Sequence, residues 1–313
     1  MRAVKNTDTG ITLIEVPEPP DPVAPGLRVT VRSAGICGSD LHVLTWGPRP
    51  VTIGHEVGGH LDDGTPVAVW PAAPCGHCDR CIVGATVQCR HAAENVYGFG
   101  RDGGMADRLV VEERNVFPLP AGLVAADAAL VEPMACAVHA LRRAGVRGGD
   151  RLAVVGAGTM GLSAAAVATW MDARVDVGAR HPAQRAAAEA IGAGREPEGE
   201  YDVVVEAAGT AGALARAVEL VRPSGTIVLA ASYWDPIQFP AMFTAKEPTL
   251  VTASGVSDHR DGHDMALAAT VLADRPEVPA ALITHRVPLA RAAEAFRLAA
   301  DRASGAIKVV LEP

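Results

Sequence analysis

The sequence predicts an α/β protein of two domains: a β-rich first part and a second part built on a doubly wound parallel sheet. Three observations carry that expectation. Short apolar runs punctuated by Gly and Pro fill residues 1 to about 130, the texture of short strands. From about Leu130 the chain alternates apolar runs with Ala-rich helical stretches, as βαβ units do. The loop Gly156-Ala157-Gly158-Thr159-Met160-Gly161 stands where such a unit turns from strand to helix. A length of 313 residues exceeds what one small core organises and agrees with two domains.

In order along the chain, Leu27–Ser33, Pro66–Trp70 and Leu109–Val111 read as strands of the first part. Arg151–Val155 is an apolar strand that stops at Gly156, Thr159–Met171 an apolar helix, and Arg174–Val177 the next strand. Pro182 opens a helix to Ile191, since a residue at the first helical position has no intrahelical donor to lose. Asp202–Glu206, Thr226–Ala231 and Thr249–Ala253 are further strands, with Ala211–Leu220 a helix between the first two. Beyond about Ser257 come two more helical patterns and a last strand, Ile307–Leu311, expected to return to the first domain. The expected boundaries are therefore 1–132, completed by 257–313, and 133–256. No repeats or low-complexity linkers appear.

Composition narrows the function. Hydrophobic residues make up 49% and charged ones 20%, ordinary for a soluble globular protein. The net charge of −8 and the lack of any Lys/Arg run argue against nucleic acid and against an anionic membrane surface. No apolar stretch reaches the roughly 18 residues of a membrane helix. The N-terminus runs straight into strand-like sequence with no export signal. A cytoplasmic location is expected, because four or five of the six cysteines read as metal ligands and need a reducing compartment.

Cys75, Cys78, Cys81 and Cys89 form the strongest local signal. Zinc accepts four tetrahedral thiolates and needs nothing else, so the quartet reads as a structural zinc lobe. A disulfide cluster would need an oxidising compartment. An iron–sulfur site more often closes with a three-residue gap and Cys-Pro, whereas seven residues precede Cys89. Upstream, Cys37, His55 and Glu56 offer one soft, one borderline and one hard ligand, and Glu132 adds a carboxylate at the domain junction. A zinc site with an open position polarises a bound alcohol. Asp40 could orient the His55 ring through its second nitrogen. Ser39 and His42 could relay the alcohol proton, although a surface histidine is the plain alternative for His42.

In the glycine loop, Gly156 makes the tight turn, Gly158 lets the backbone approach a pyrophosphate, and Gly161 allows close helix–strand packing. Thr159 and Met160 open the helix whose N–H groups face the phosphates. The second strand ends in Gly178-Ala179-Arg180, with its only nearby acid, Asp176, two residues too early for a ribose. Arg180 suits a 2′-phosphate, which favours NADP over NAD; the alternative is a solvent-facing arginine in an ordinary loop.

Together, Gly35-Ile36-Cys37-Gly38-Ser39-Asp40-Leu41-His42, Gly54-His55-Glu56-Val57-Gly58-Gly59, the cysteine quartet, Asp102-Gly103-Gly104-Met105-Ala106, Glu132-Pro133-Met134-Ala135-Cys136-Ala137-Val138-His139, the glycine loop and Leu282-Ile283-Thr284-His285 resemble one family. It is the zinc-dependent medium-chain dehydrogenase/reductase family, and the resemblance covers nearly the whole chain. It implies a GroES-like catalytic domain, a Rossmann cofactor domain and two zinc ions per chain. It also implies hydride transfer between a secondary alcohol and a nicotinamide, with the domains closing a cleft over the reacting atoms.

Glu56 and Glu132 are similar to the polyol and threonine dehydrogenase branch, in which Cys37, His55 and Glu56 would hold the catalytic zinc. Glu132 would bind it directly or through water, and Cys136 would be a buried bystander near the domain junction. Family members are usually dimers or tetramers, and Thr249–Ser254 could pair across subunits. Two features depart from the family. Only 18 positions separate Cys37 from His55, with a shortened hairpin at Leu61-Asp62-Asp63-Gly64. Ala193–Tyr201 can hold at most a stub of the usual third strand.

The expected function is oxidation of a polyol, sugar or cyclitol-like alcohol. A physiological ketone or aldehyde reductase of the same family is the nearest alternative, and a non-catalytic nucleotide-binding sensor is another. Trp46, Phe99 and Arg101 either line the cleft or are packed or surface residues.

Overall fold

The first strands form because β-branched and apolar residues alternate between turn residues, and they pair as the register of their buried faces dictates. The computed structural model describes residues 1–23, 25–259 and 262–313. The chain divides into two compact units, Met1–Glu132 with Val256–Pro279 and Ile283–Pro313, and Pro133–Gly255 with Ala280–Leu282.

In the first unit, Arg2–Thr7 and Gly10–Glu15 make an antiparallel ribbon. The main sheet has seven strands, in the order Ile283–Pro288, Lys308–Glu312, Gly26–Gly35, Glu56–Leu61, Pro66–Val69 and Val116–Pro118, with Arg108–Glu112 also on Gly26–Gly35. Val29, Val31, Val57, Val67, Val69, Leu109 and Leu311 bury their side chains in one core. The turn after Leu61 is tight. Thr65 donates to Asp63 Oδ1 at 2.9 Å, and Gly64 takes a φ of 87° that a side chain would strain.

The last strand, Lys308–Glu312, pairs antiparallel with Gly26–Gly35, setting Val310 opposite Gly35 and Leu311 opposite Ala34. Ile36 donates to Val309 O at 3.0 Å. The C-terminal strand thereby runs beside the segment that leads into Cys37.

The second unit contains a five-stranded parallel sheet in the order Thr249–Thr252, Val221–Leu229, Tyr201–Glu206, Arg151–Val155, Arg174–Gly178. Parallel strands need covered faces, and the helices Thr159–Trp170 and Ala211–Leu220 supply buried Ala, Leu and Val for that purpose. No strand lies among residues 191–200. Arg174–Gly178 is therefore an edge, and a single backbone bond from Val177 N–H to Arg195 O (2.9 Å) stands in for a neighbouring strand.

One sequence expectation needs correction here. The strand expected at Thr226–Ala231 begins at Val221, because the chain keeps Tyr201 opposite Val221 and absorbs Arg222-Pro223-Ser224-Gly225 in a register shift. Among the described residues no helix is long and apolar enough to cross a membrane.

Candidate active site

Cys37 ends the strand-to-helix passage at the start of the short helix Gly38–Val43, with its backbone extended as a helix N-cap requires. His55 and Glu56 enter the strand Glu56–Leu61, which lies against Gly26–Gly35 with Glu56 opposite Gly35. Adjacent strands thus bring residues distant in sequence together. Candidate ligand atoms of Cys37, His55 and Glu56 all lie within 4.8 Å of one another, and His55 and Glu56 are buried.

Asp40, also buried, ties two of these groups in place. Its Oδ2 accepts from the backbone N–H of Cys37 at 2.9 Å, and its Oδ1 lies 3.1 Å from His55 Nδ1. That contact orients the ring and leaves Nε2 facing the cluster. Ser39 Oγ stands 3.5 Å from His55 Nε2. His42, one turn after Ser39 on the same helix, sets its ring edge-on to Trp46 at 5.8 Å. Asp40→Asn should cost 10- to 100-fold in metal affinity or turnover, the usual effect of losing such a supporting carboxylate. Metal content and initial rates check this, and unchanged values would remove Asp40 from the site.

The sequence did not disclose Lys308. Its ammonium donates to Glu56 Oε1 at 2.7 Å, to Glu56 Oε2 at 2.5 Å and to Ile36 O at 3.0 Å, and both side chains are 1% exposed. Glu56 Oε2 lies so close over Gly35 that a Cβ there would overlap it. Both carboxylate oxygens are therefore engaged, and Glu56 can ligate a cation only while sharing its charge with the ammonium. A signal for Lys308 did exist: a single cation stands in an otherwise apolar, buried terminal strand.

The electrostatics of the cluster ask for positive charge. Burial works against protonation of His55, yet the charge and hydrogen bond of Asp40, helped by Cys37, hold its pKa well above the ordinary histidine value. Burial likewise opposes charge on Lys308, but Glu56 and Cys37, with a smaller contribution from Glu132, raise its pKa. Glu132 opens the helix Val131–Ala144 outside the 4.8 Å cluster. One cysteine sulfur, one imidazole and one carboxylate gathered within 4.8 Å, the last two buried, fit a zinc ion with an open position.

Cys75, Cys78, Cys81 and Cys89 have all four sulfurs within 4.8 Å of one another. Cys75 Sγ and Cys81 Sγ are 3.9 Å apart, near the about 3.8 Å edge of a tetrahedron with 2.3 Å zinc–sulfur bonds. Backbone N–H groups point at the sulfurs: Cys75 N to Cys89 Sγ and Cys78 N to Cys75 Sγ, both 3.3 Å. The N–H groups of Arg90 and Cys81 hold the Cys78 thiol down at about 6, while burial pushes Cys81 up to about 12. Crowding four thiols together makes their ionisations unequal in this way.

In the nucleotide loop, Gly156 has φ 108°, and a Cβ on it would stand 2.9 Å from Ala208. A Cβ on Gly161 would overlap the carbonyl oxygen of Gly156, so only glycine lets the helix Thr159–Trp170 close on the strand. A Cβ on Gly158 would meet nothing within 4 Å, leaving space over the helix N-terminus for a phosphate. Thr159 and Met160 form its first turn. Glu206 accepts from Ala208 N–H at 2.8 Å, from Gly209 N–H at 2.9 Å and from the Tyr233 hydroxyl, bracing the neighbouring loop. At the sheet edge Arg180 is exposed, and Asp176 is held by the Tyr201 hydroxyl at 2.8 Å. Glu196 Oε1 lies 3.5 Å from where a Cβ on Gly178 would stand.

Of the aromatic and cationic residues singled out near the site, Phe99 packs its ring 5.0 Å from His55. Arg101 does not join it: it binds Glu112 at 2.7 Å and Asn95 at 3.1 Å and stacks over Tyr97. Arg49, which drew no attention in the sequence, donates to Phe99 O at 3.0 Å and sits 6.0 Å from the Trp46 ring.

The profile of the alcohol dehydrogenase GroES-like domain matches residues 24–121. The chain is 32% identical to the L-galactonate-5-dehydrogenase of Escherichia coli (strain K12), over 90% of this chain and 89% of that protein. The crystal structure of galactitol-1-phosphate dehydrogenase from Escherichia coli superposes with a TM-score of 0.88 at 28% identity, covering 100% of both chains. A zinc-binding dehydrogenase from Sinorhizobium meliloti 1021, solved bound to NADP, gives a TM-score of 0.85 at 25% identity, covering 100% of this chain and 99% of that one.

Proposed function

Because the chain belongs to the zinc-dependent medium-chain dehydrogenase/reductase family, we propose that it oxidises polyhydroxylated secondary alcohols, sugar alcohols and sugar acids among them, at Cys37, His55 and Glu56. As a member of that family it is an oxidoreductase that moves hydride between a secondary alcohol and a nicotinamide cofactor. The observation that carries the site reading is the convergence of those three donor groups within 4.8 Å, His55 and Glu56 both buried. Relatives named for L-galactonate and galactitol 1-phosphate support the substrate class.

Cys37, His55 and Glu56 would hold a zinc ion, which would supply Lewis-acid polarisation of the alcohol oxygen. Everything else is done by side chains. Asp40 fixes the His55 tautomer, and Lys308 keeps the Glu56 carboxylate in place. Ser39 Oγ receives the alcohol proton, and His42, one turn further along the helix, passes it towards water. Glu132 adds negative charge near the site and would hold the ion directly or through water. A second zinc ion in the Cys75, Cys78, Cys81 and Cys89 lobe is structural.

The reading predicts NADP in preference to NAD, with Gly156, Gly158, Thr159, Met160 and Gly161 around the pyrophosphate and Arg180 on the 2′-phosphate. Arg180→Ala should lower kcat/KM with NADP roughly 10- to 100-fold, the 1.5–3 kcal/mol of a hydrogen bond to a charged group, and leave NAD nearly unchanged. If Glu196→Gln instead impairs NAD and Arg180→Ala does nothing, Glu196 grips the ribose and the preference is reversed.

Trp234, Phe239, Met242 and Leu250 are exposed large apolar side chains of the second unit, and Leu250 lies on its edge strand Thr249–Thr252. This supports self-association through that edge, into a dimer or a tetramer; a monomer by light scattering would overturn it. None of the six cysteines is in a disulfide and four of them cluster, which supports work in the reducing cytoplasm. Thiol titration after metal removal should count all six without added reductant.

The deciding experiment is an initial-rate panel of polyols, sugars, sugar acids, cyclitols, threonine and simple secondary alcohols, with NADP and NAD, before and after chelation. Chelator-sensitive turnover of a polyhydroxylated substrate is expected. Better rates for ketone reduction at neutral pH would favour the reductase direction. Cofactor binding with no turnover of any alcohol or ketone would favour a sensor.

A further inference from the structure

The cysteine lobe carries more metal-binding chemistry than four sulfurs use. His77 and His91 flank Cys75, and candidate ligand atoms of the three lie within 4.8 Å of one another. The two rings are 5.7 Å apart between centroids and inclined by 39°. His77 Nδ1 is hydrogen-bonded to Cys75 O at 2.9 Å, and His91 Nδ1 lies 3.6 Å from Glu94 Oε2, at ion-pair rather than hydrogen-bond distance. Metal-binding histidines characteristically give one nitrogen to a carbonyl or a carboxylate in this way, which fixes the tautomer and frees the other nitrogen for the ion. In His77 that other nitrogen is Nε2.

Charge and access agree with this geometry. Four thiolates around one divalent ion leave a net charge of −2 on the lobe. The two arginines of the lobe both face Asp79, Arg90 donating to its Oδ2 at 2.7 Å and Arg80 lying 3.6 Å from it. His91 and Glu94 have side chains 45% and 80% exposed, so a hydrated ion reaches them without unfolding the lobe. A thiolate with two imidazoles and a carboxylate nearby is a borderline-soft donor set of the kind that zinc prefers over magnesium or calcium.

We infer that the lobe takes up an additional, exchangeable zinc ion between His77 and His91, bridged through Cys75 Sγ to the ion of the quartet. Glu94 adds a negative charge beside His91. The site is more open than the quartet and releases its ion more readily. The inference rests on the quartet holding zinc, and the count of tightly retained ions examines that premise separately.

Full-length protein loaded with Zn2+ and then dialysed is analysed for retained zinc. It is next titrated with Zn2+ against a chromogenic chelator, and in parallel with Co2+. Two retained equivalents and one further, weaker equivalent are expected, the last accompanied by a thiolate-to-cobalt charge-transfer band. His77→Ala/His91→Ala should abolish the weaker equivalent while leaving the retained ions and the melting temperature unchanged. No further uptake overturns the site. Uptake that survives the double substitution means an adventitious ion only, and uptake without the charge-transfer band overturns the Cys75 bridge. A single retained equivalent that is lost in Cys37→Ser would instead reject the quartet as a zinc lobe.

Discussion

Replacing Lys308 by methionine will destabilise the first unit by roughly 3–5 kcal/mol, the cost of stranding one member of a buried ion pair. Its ammonium is 1% exposed and donates to both oxygens of a carboxylate that is itself 1% exposed. Without it, Glu56 keeps a negative charge among Cys37, Asp40 and Glu132 with no water to spread it. The surroundings cannot relax cheaply, since the carboxylate lies directly over Gly35 and the Lys308 strand is paired to the Cys37-bearing segment. Glu56→Gln/Lys308→Met should recover more than half of the loss, because an apolar–neutral pair removes both charges together. Urea midpoints of zinc-free protein check this. A single-variant loss below about 1 kcal/mol would mean that Glu56 protonates or solvates on its own.

That ion pair also marks where reading the sequence stops. The cysteine quartet could be recognised because its four ligands lie within fifteen positions, so local spacing carries the geometry. The strand Arg151–Val155 and the helix Ala211–Leu220 fall where periodicity put them, since each buries its own apolar face locally. The short passage from Ile191 to Tyr201 told of a missing strand, and the sheet has its edge there. Lys308, by contrast, meets Glu56 across 252 positions of sequence, through a strand pairing that no local pattern encodes. Arg101 resembled a candidate cleft residue for the same reason in reverse: its partners Glu112 and Asn95 become neighbours only through strand and loop packing. The start of Val221–Leu229 was hidden because Arg222-Pro223-Ser224-Gly225 carries turn chemistry that the neighbouring strand overrides. Motif residues of the candidate site could be picked out from sequence; the charges that tune them could not.

The largest catalytic effect is expected from Cys37→Ser, which should lower kcat/KM about 10³-fold while leaving cofactor affinity unchanged. A hydroxyl in place of the thiolate removes a charged soft ligand from a set of three, and zinc binds far less firmly to what remains. The metal contributes several kcal/mol of charge stabilisation to the reaction, and each 1.36 kcal/mol is tenfold in rate. The fold should survive, because Cys37 is only half-buried and its backbone N–H still donates to Asp40 Oδ2 at 2.9 Å. The glycine loop belongs to the second unit, so fluorescence titration with NADPH should give the wild-type affinity. Zinc analysis separates the possible causes. Loss of one equivalent with loss of turnover places the chemistry at Cys37, whereas full zinc content with full turnover would move the reactive ion elsewhere. Loss of NADPH binding as well would show that the substitution had acted on the fold rather than on the site.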